Sequence, residues 1–182
     1  MKKITFLLLT LATVFIISCN KDKYEAPKAK TVAMAGRWWV ELYSDDDQNG
    51  VIDVTDNLYF TYSDFGQYGI ITSNTGANGT DSMIVTDSHL ASTDRWPFKF
   101  KAPIDLGSLK FNPSTNLNIE SGYIGSGETV KIIEGKILKG AAHNKSGAIA
   151  DSIFLEFEFS DDAGTYYIYS GHRDSGQPED QY

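Results

Sequence analysis

Asp45, Asp47, Asn49, Val51, Asp53 and Asp56 occupy positions 1, 3, 5, 7, 9 and 12 of the stretch DDDQNGVIDVTD. From those positions a twelve-residue loop of the EF-hand type offers oxygens to calcium. Position 7 gives its main-chain carbonyl, and position 9 acts through a water. Gly50 falls at position 6, where such a loop turns sharply, and Ile52 at position 8 can point inward as an anchor. Asp56 stands where a bidentate Glu is usual, so its reach is shorter. The same residues also read as an ion-free acidic hairpin connection. Both flanks, RWWVELY and NLYFTY, are strand-like rather than helical, and Asn49-Gly50 is a hairpin turn signal. Both readings stand at this level. Calcium is the one cofactor the residues suggest, and nothing gives it a catalytic task.

Other chemistry finds fewer residues. Nucleophilic hydrolysis needs a Ser or Cys beside an oriented base. No G-x-S-x-G occurs, and GSG at 125–127 lacks the spacing. His89, His143 and His172 lie in or beside polar stretches, show no zinc spacing, and are expected to be exposed. Carboxylates are plentiful but interleaved along the chain, so no acid–base pair stands out. No catalytic residue can be assigned, and enzymatic activity is left open.

The elements that would position these residues begin after an export signal. Lys2 and Lys3 precede the apolar run ITFLLLTLATVFII. As a helix this run would cover about 21 Å of a hydrocarbon core of about 30 Å, short for a membrane span. IISC, ending at Cys19, resembles the lipobox of bacterial lipoproteins. That resemblance implies cleavage before Cys19 and acylation of this cysteine, the only one in the chain. Asn20 follows it, which in such lipoproteins favours the outer membrane. The expected organisation is a signal peptide at 1–18, a lipidated Cys19 with a polar tether over 19–34, and one domain at 35–182. Without Lys2 and Lys3, 14 basic side chains face 24 acidic ones, a net −10. That balance argues against nucleic acid and against adsorption on anionic lipid, so attachment must come from acyl chains.

Beyond the tether the pattern is β throughout. Strands are expected near 37–44, 57–63, 67–73, 81–87, 96–101, 117–124, 129–138, 152–160 and 164–171, with a short one near 106–111. In SIFLEFEFS, Ile153, Leu155, Phe157 and Phe159 share a face opposite Glu156 and Glu158. FKFK sets Phe98 and Phe100 against Lys99 and Lys101, and NLNIE sets Leu117 and Ile119 against Asn118 and Glu120. One buried and one wet face indicates antiparallel sheet. In YYIY, Tyr167 and Tyr169 share a face, either at a cavity mouth or outside.

Gly36-Arg37-Trp38 resembles the G-x-W signature at the start of the first lipocalin strand. There the Trp plugs the closed barrel end and an arginine from the barrel's end packs over it; Arg173 is the candidate here. ITSNTGANGTDSMIVTD (71–87), FKFKAPIDL (98–106) and RDSGQPEDQY (173–182) resemble a family of secreted bacterial lipoproteins catalogued as lipid-binding putative hydrolases. The resemblance implies an all-β, lipocalin-like antiparallel up-and-down barrel of about 8–10 strands with an internal cavity. In that barrel Phe98, Phe100, Leu117, Ile119, Leu155, Phe157 and Phe159 would line a site for a small hydrophobic or amphipathic ligand. The alternatives are a hydrolase of lipids or esters and a filled barrel serving as a structural or interaction module with a calcium-stabilised loop.

Overall fold

The computed structural model describes residues 28–61, 63–64, 69–87, 97–120 and 128–180. Ten strands follow in chain order: β1 (Gly36–Asp45), β2 (Asn57–Phe60), β3 (Gly69–Asn74), β4 (Ser82–Asp87), β5 (Phe98–Asp105), β6 (Lys110–Phe111), β7 (Ser114–Leu117), β8 (Thr129–His143), β9 (Ile149–Phe159) and β10 (Tyr166–Arg173). Every pairing is antiparallel, as short connections and one-sided apolar alternation require. The sheet closes where β10 pairs with β1, from Trp38 opposite Arg173 to Asp45 opposite Tyr166. The other edge of β1 is shared: Gly36–Trp39 pair with β3, and Leu42–Ser44 with β2. The short strands β6 and β7 likewise divide one edge of β8. The result is a closed antiparallel barrel with eight strand positions.

The alternation read from the sequence sets the inside. Phe98, Phe100, Ala102 and Ile104 of β5 and Ile153, Leu155, Phe157 and Phe159 of β9 are buried, while Lys99 and Lys101 face solvent. Strand β5 runs beyond its expected end to Asp105, and a turn at 106–109 precedes β6 where a short strand was expected from 106. The expected strand at 117–124 is instead β7 at Ser114–Leu117, and residues 121–124 lie outside the described set.

Two expected interior residues are corrected. Leu117 and Ile119 are 56% and 51% exposed, and their neighbours Asn116 and Asn118 are buried instead. The amides decide this register. Asn116 donates to the carbonyls of Ser114 and Val130. Asn118 donates to Pro97 O while its Oδ1 accepts from Lys99 N–H and Glu120 N–H. These bonds reinforce the seam between β5 and β8, beside the main-chain bonds from Ile119 N–H to Lys99 O and from Asn118 N–H to Glu128 O. A buried amide without partners costs more than two half-exposed aliphatic side chains lose.

Candidate ligand site and the acidic loop

The closed end of the barrel is built from both chain ends. The Arg173 guanidinium sits over the Trp38 ring, 4.4 Å from its centroid. It donates to the carbonyls of Ala33 and Ala35 and pairs with Asp151, which Lys139 also binds. Trp38 Nε1 donates to Thr72 Oγ1, which in turn donates to Met34 O. Residues 28–35 thus lie across the barrel floor, with Thr31 and Met34 fully buried. A Cβ on Gly36 would stand 2.5 Å from the Arg173 guanidinium, so glycine makes room for that arginine.

The opposite half of the interior holds Phe98, Phe100, Phe157, Phe159, Tyr167 and Tyr169, all buried. Phe157 is edge-on to Phe159 at 5.3 Å and lies 5.0 Å from Tyr169, within the range of favourable aromatic pairs. Leu155 lies deeper on the same face. Among the described residues, Asp87 brings a carboxylate into this apolar space: 1% exposed, it accepts the Tyr169 hydroxyl at 2.5 Å. The Tyr167 hydroxyl turns to Asp162 at the barrel's rim. Both tyrosines therefore belong to the interior rather than the outer surface. Asp87 was not among the expected site residues. Its signal was present, because Met83, Val85 and Asp87 alternate along β4.

Above this end, the acidic loop gathers three of its expected ligands. Carboxylate oxygens of Asp45, Asp47 and Asp56 lie within 4.8 Å of one another. Asp45 accepts the N–H groups of Asn49 and Gly50, and Gly50 takes φ = 72°, which favours glycine. Asn49 instead points its amide NH₂ at Asp47 and Asp53, while its oxygen accepts Val51 N–H. Burial, and then the charge of Asp53, push the Asp47 carboxyl above its ordinary value, whereas bonds from Thr55 hold Asp53 below it. The donor set fits a hard divalent cation at Asp45, Asp47 and Asp56; Asn49 would have to turn to join them, and the Val51 carbonyl and Asp53 complete the expected set.

Beneath the loop lies Glu156, expected on the wet face of β9 yet only 3% exposed. The acidic loop covers it: its Oε2 is 3.4 Å from where a Cβ on Gly50 would stand. Burial first, then Asp45 and Glu134, push its carboxyl up to about 7.

The histidines divide. His143 is exposed at the end of β8, but His172 lies buried on β10, with its Nε2 3.4 Å from Asp180 O, contrary to expectation. His89 lies outside the described residues, as do Cys19 and the segment before Lys28. The burial of His172 follows from the tail folding back. Asp180 accepts from Asn144, Ser146 and Ser175, and these bonds overcome its burial to hold its carboxyl down at about 2. A surface cleft of about 510 Å³ beside this buckle is lined by His143, Lys145, Ser170 and His172, among others. Among the described residues, no serine hydroxyl is hydrogen-bonded to a histidine.

A family model described as "Lipid-binding putative hydrolase" matches residues 23–178, nearly the whole span of the barrel and its tail. A search of curated proteins found no match.

Proposed function

The chain belongs to the lipid-binding putative hydrolase family, and we propose, on the lipobox-like IISC that ends at Cys19, that it is a lipid-anchored, extracytoplasmic binding protein, acylated at Cys19 and held at the outer membrane. Its ligand is a small amphipathic, lipid-like molecule taken into the half of the barrel opposite the floor. The observation that carries this reading is the interior chemistry there: among the described residues, five aromatic side chains surround a buried polar pair, Asp87 and Tyr169. Apolar walls with a single orienting polar point are what an amphipathic ligand needs. Phe98, Phe100, Leu155, Phe157 and Phe159 form the walls, and Tyr169 with Asp87 meets the polar group. The rings already touch one another, so entry of a ligand turns the outermost of them aside.

A second reading has its own support in that same contact. Rings at 5.0–6.1 Å fill the space, which favours a solid barrel serving as a structural or interaction module. Hydrolysis of a lipid or ester rests on the family description alone. We further propose that the Asp45–Asp56 loop takes calcium through Asp45, Asp47 and Asp56 and is ordered by it.

Mass spectrometry of organic extracts from purified residues 20–182, set against a mock purification, separates the two main readings. Omitting Cys19 keeps the anchor's own acyl chains out of the result. A stoichiometric fatty acid or other amphiphile establishes the carrier. A clean extract, repeated after incubation with mixed lipids, leaves the filled module.

A further inference from the structure

The strands that form the closed end do not stop level with it. β8 and β9 pair beyond the barrel floor, out to His143 opposite Ile149, past the level where β10 ends at Arg173 opposite Trp38. The pairing shifts between Leu138 and Ala142, and Gly140 takes φ = 62° within that shift. The resulting kink swings the hairpin tip toward the tail, where Asn144 and Ser146 hold Asp180. The tip presents apolar side chains outward. Ile149 is 68% exposed, Leu138 46%, and on the adjoining floor segment Val32 is 59%. These residues form one rim: Ile149 lies against Gly140, and Lys139 beside it donates to Ala33 O, next to Val32.

Charge is distributed unevenly along the barrel axis. The end opposite the floor carries, among the described residues, Asp45, Asp46, Asp47, Asp53 and Asp56 in one loop, with Asp161 and Asp162 on the β9–β10 turn. The rim carries Lys28, Lys30, Lys139 and Lys145. Of its nearest carboxylates, Asp151 is paired by Lys139 and Arg173 and Asp180 is buried, while Asp174, beside Arg173, is half-buried and accepts Gly176 N–H. Asp81, Asp105 and Glu179 are exposed on neighbouring turns and the tail. Lysines and carboxylates on this face are therefore close to balanced, whereas the chain as a whole is strongly acidic.

Lys28 lies on the same floor, nine Cα–Cα steps from Cys19 with eight residues between them. Fully extended, that length reaches about 30 Å. We propose that the closed end docks on the bilayer surface, with Val32, Leu138 and Ile149 dipping among the headgroups, lysines around them, and the opposite, acidic end turned away from the membrane. This rests on the acyl-anchor reading. A short tether confines the domain near the surface, so each apolar residue contributes in an already intramolecular encounter. A ligand then enters from the aqueous side, not by lateral transfer from the bilayer directly beneath.

The test uses the full lipidated chain reconstituted in phosphatidylcholine vesicles with a minor phosphatidylglycerol fraction. Acylated Cys19 leaves no other thiol, so Ile149→Cys, Leu138→Cys and Val54→Cys each carry one bimane label. Acyl chains brominated near the headgroup should quench the Ile149 and Leu138 labels roughly two-fold or more. The Val54 label, on the acidic loop, should be unchanged. Equal quenching at all three sites, or quenching at Val54 alone, overturns the proposal. Vesicle flotation with no label quenched also removes it while leaving the anchor intact. Loss of flotation removes the anchor reading and this orientation with it.

Discussion

Arg173, the last residue of β10, covers the ring of Trp38, near the start of β1, and in the same pose caps carbonyls of the floor segment. One side chain thus joins barrel closure to the plug beneath it. Arg173→Ala loses the cation–π contact and leaves two carbonyls short of a donor, so we expect a loss of about 2–4 kcal/mol in urea unfolding. Arg173→Lys keeps charge but cannot fork between Ala33 and Ala35, and should fall between. An alanine variant as stable as the parent would mean the guanidinium does not hold the floor.

The polar point inside the barrel makes a separate prediction. Tyr169→Phe leaves the Asp87 carboxylate without the phenol, at a cost of about 1–3 kcal/mol. Under the carrier reading it also lowers the amount of amphiphile co-purifying with the domain. Stability unchanged by Tyr169→Phe would argue that Asp87 finds its solvation elsewhere.

Calcium should raise the melting temperature of the domain, with a dissociation constant of about 10⁻⁴–10⁻³ M. At about 10 mM calcium the gain is about 1–3 kcal/mol. Asp47→Ala and Asp56→Ala should abolish that gain, and magnesium should not reproduce it. Identical melting in calcium and in chelator would return the loop to a plain acidic connection.

Glu156 gives a pH dependence whose sign can be worked out. Its folded carboxyl titrates at about 7, above its ordinary value, so between that value and 7 the folded state holds a proton the unfolded state has released. Stability contributed this way is present at low pH and declines as pH rises through about 7. Glu156→Gln, neutral throughout, should be more stable than the parent at pH 8 by roughly 1–2 kcal/mol and little different near pH 4. Calorimetry of both proteins across that range decides it; parallel curves would place the titration on another group.

Where residues alternate cleanly, the barrel could be read before it was seen. Phe98 and Phe100, like Leu155, Phe157 and Phe159, point inward because period two leaves no other choice once one face is apolar. The same reasoning misplaced Leu117 and Ile119, because composition ranks Asn below Leu for the inside. It cannot know that the seam between β5 and β8 offers Asn116 and Asn118 their partners. Glu156 and His172 defeat it differently. Each lies on an outer face later covered, one by the acidic loop and the other by the tail, and such cover comes from remote segments. Within the acidic loop, spacing located three converging carboxylates but not the turn of Asn49, which depends on local bonds.

The closure of β1 against β10 has a consequence in time. The first strand to leave the ribosome finds one of its two neighbours only when nearly the whole chain has followed it. The barrel therefore cannot seal during synthesis, and its folding is governed by contacts of the greatest sequence separation it possesses. Under the export proposed above this delay is useful, since a nascent protein that must wait for its C-terminus stays threadable. Sealing waits for the C-terminal strand, which brings Arg173 over Trp38.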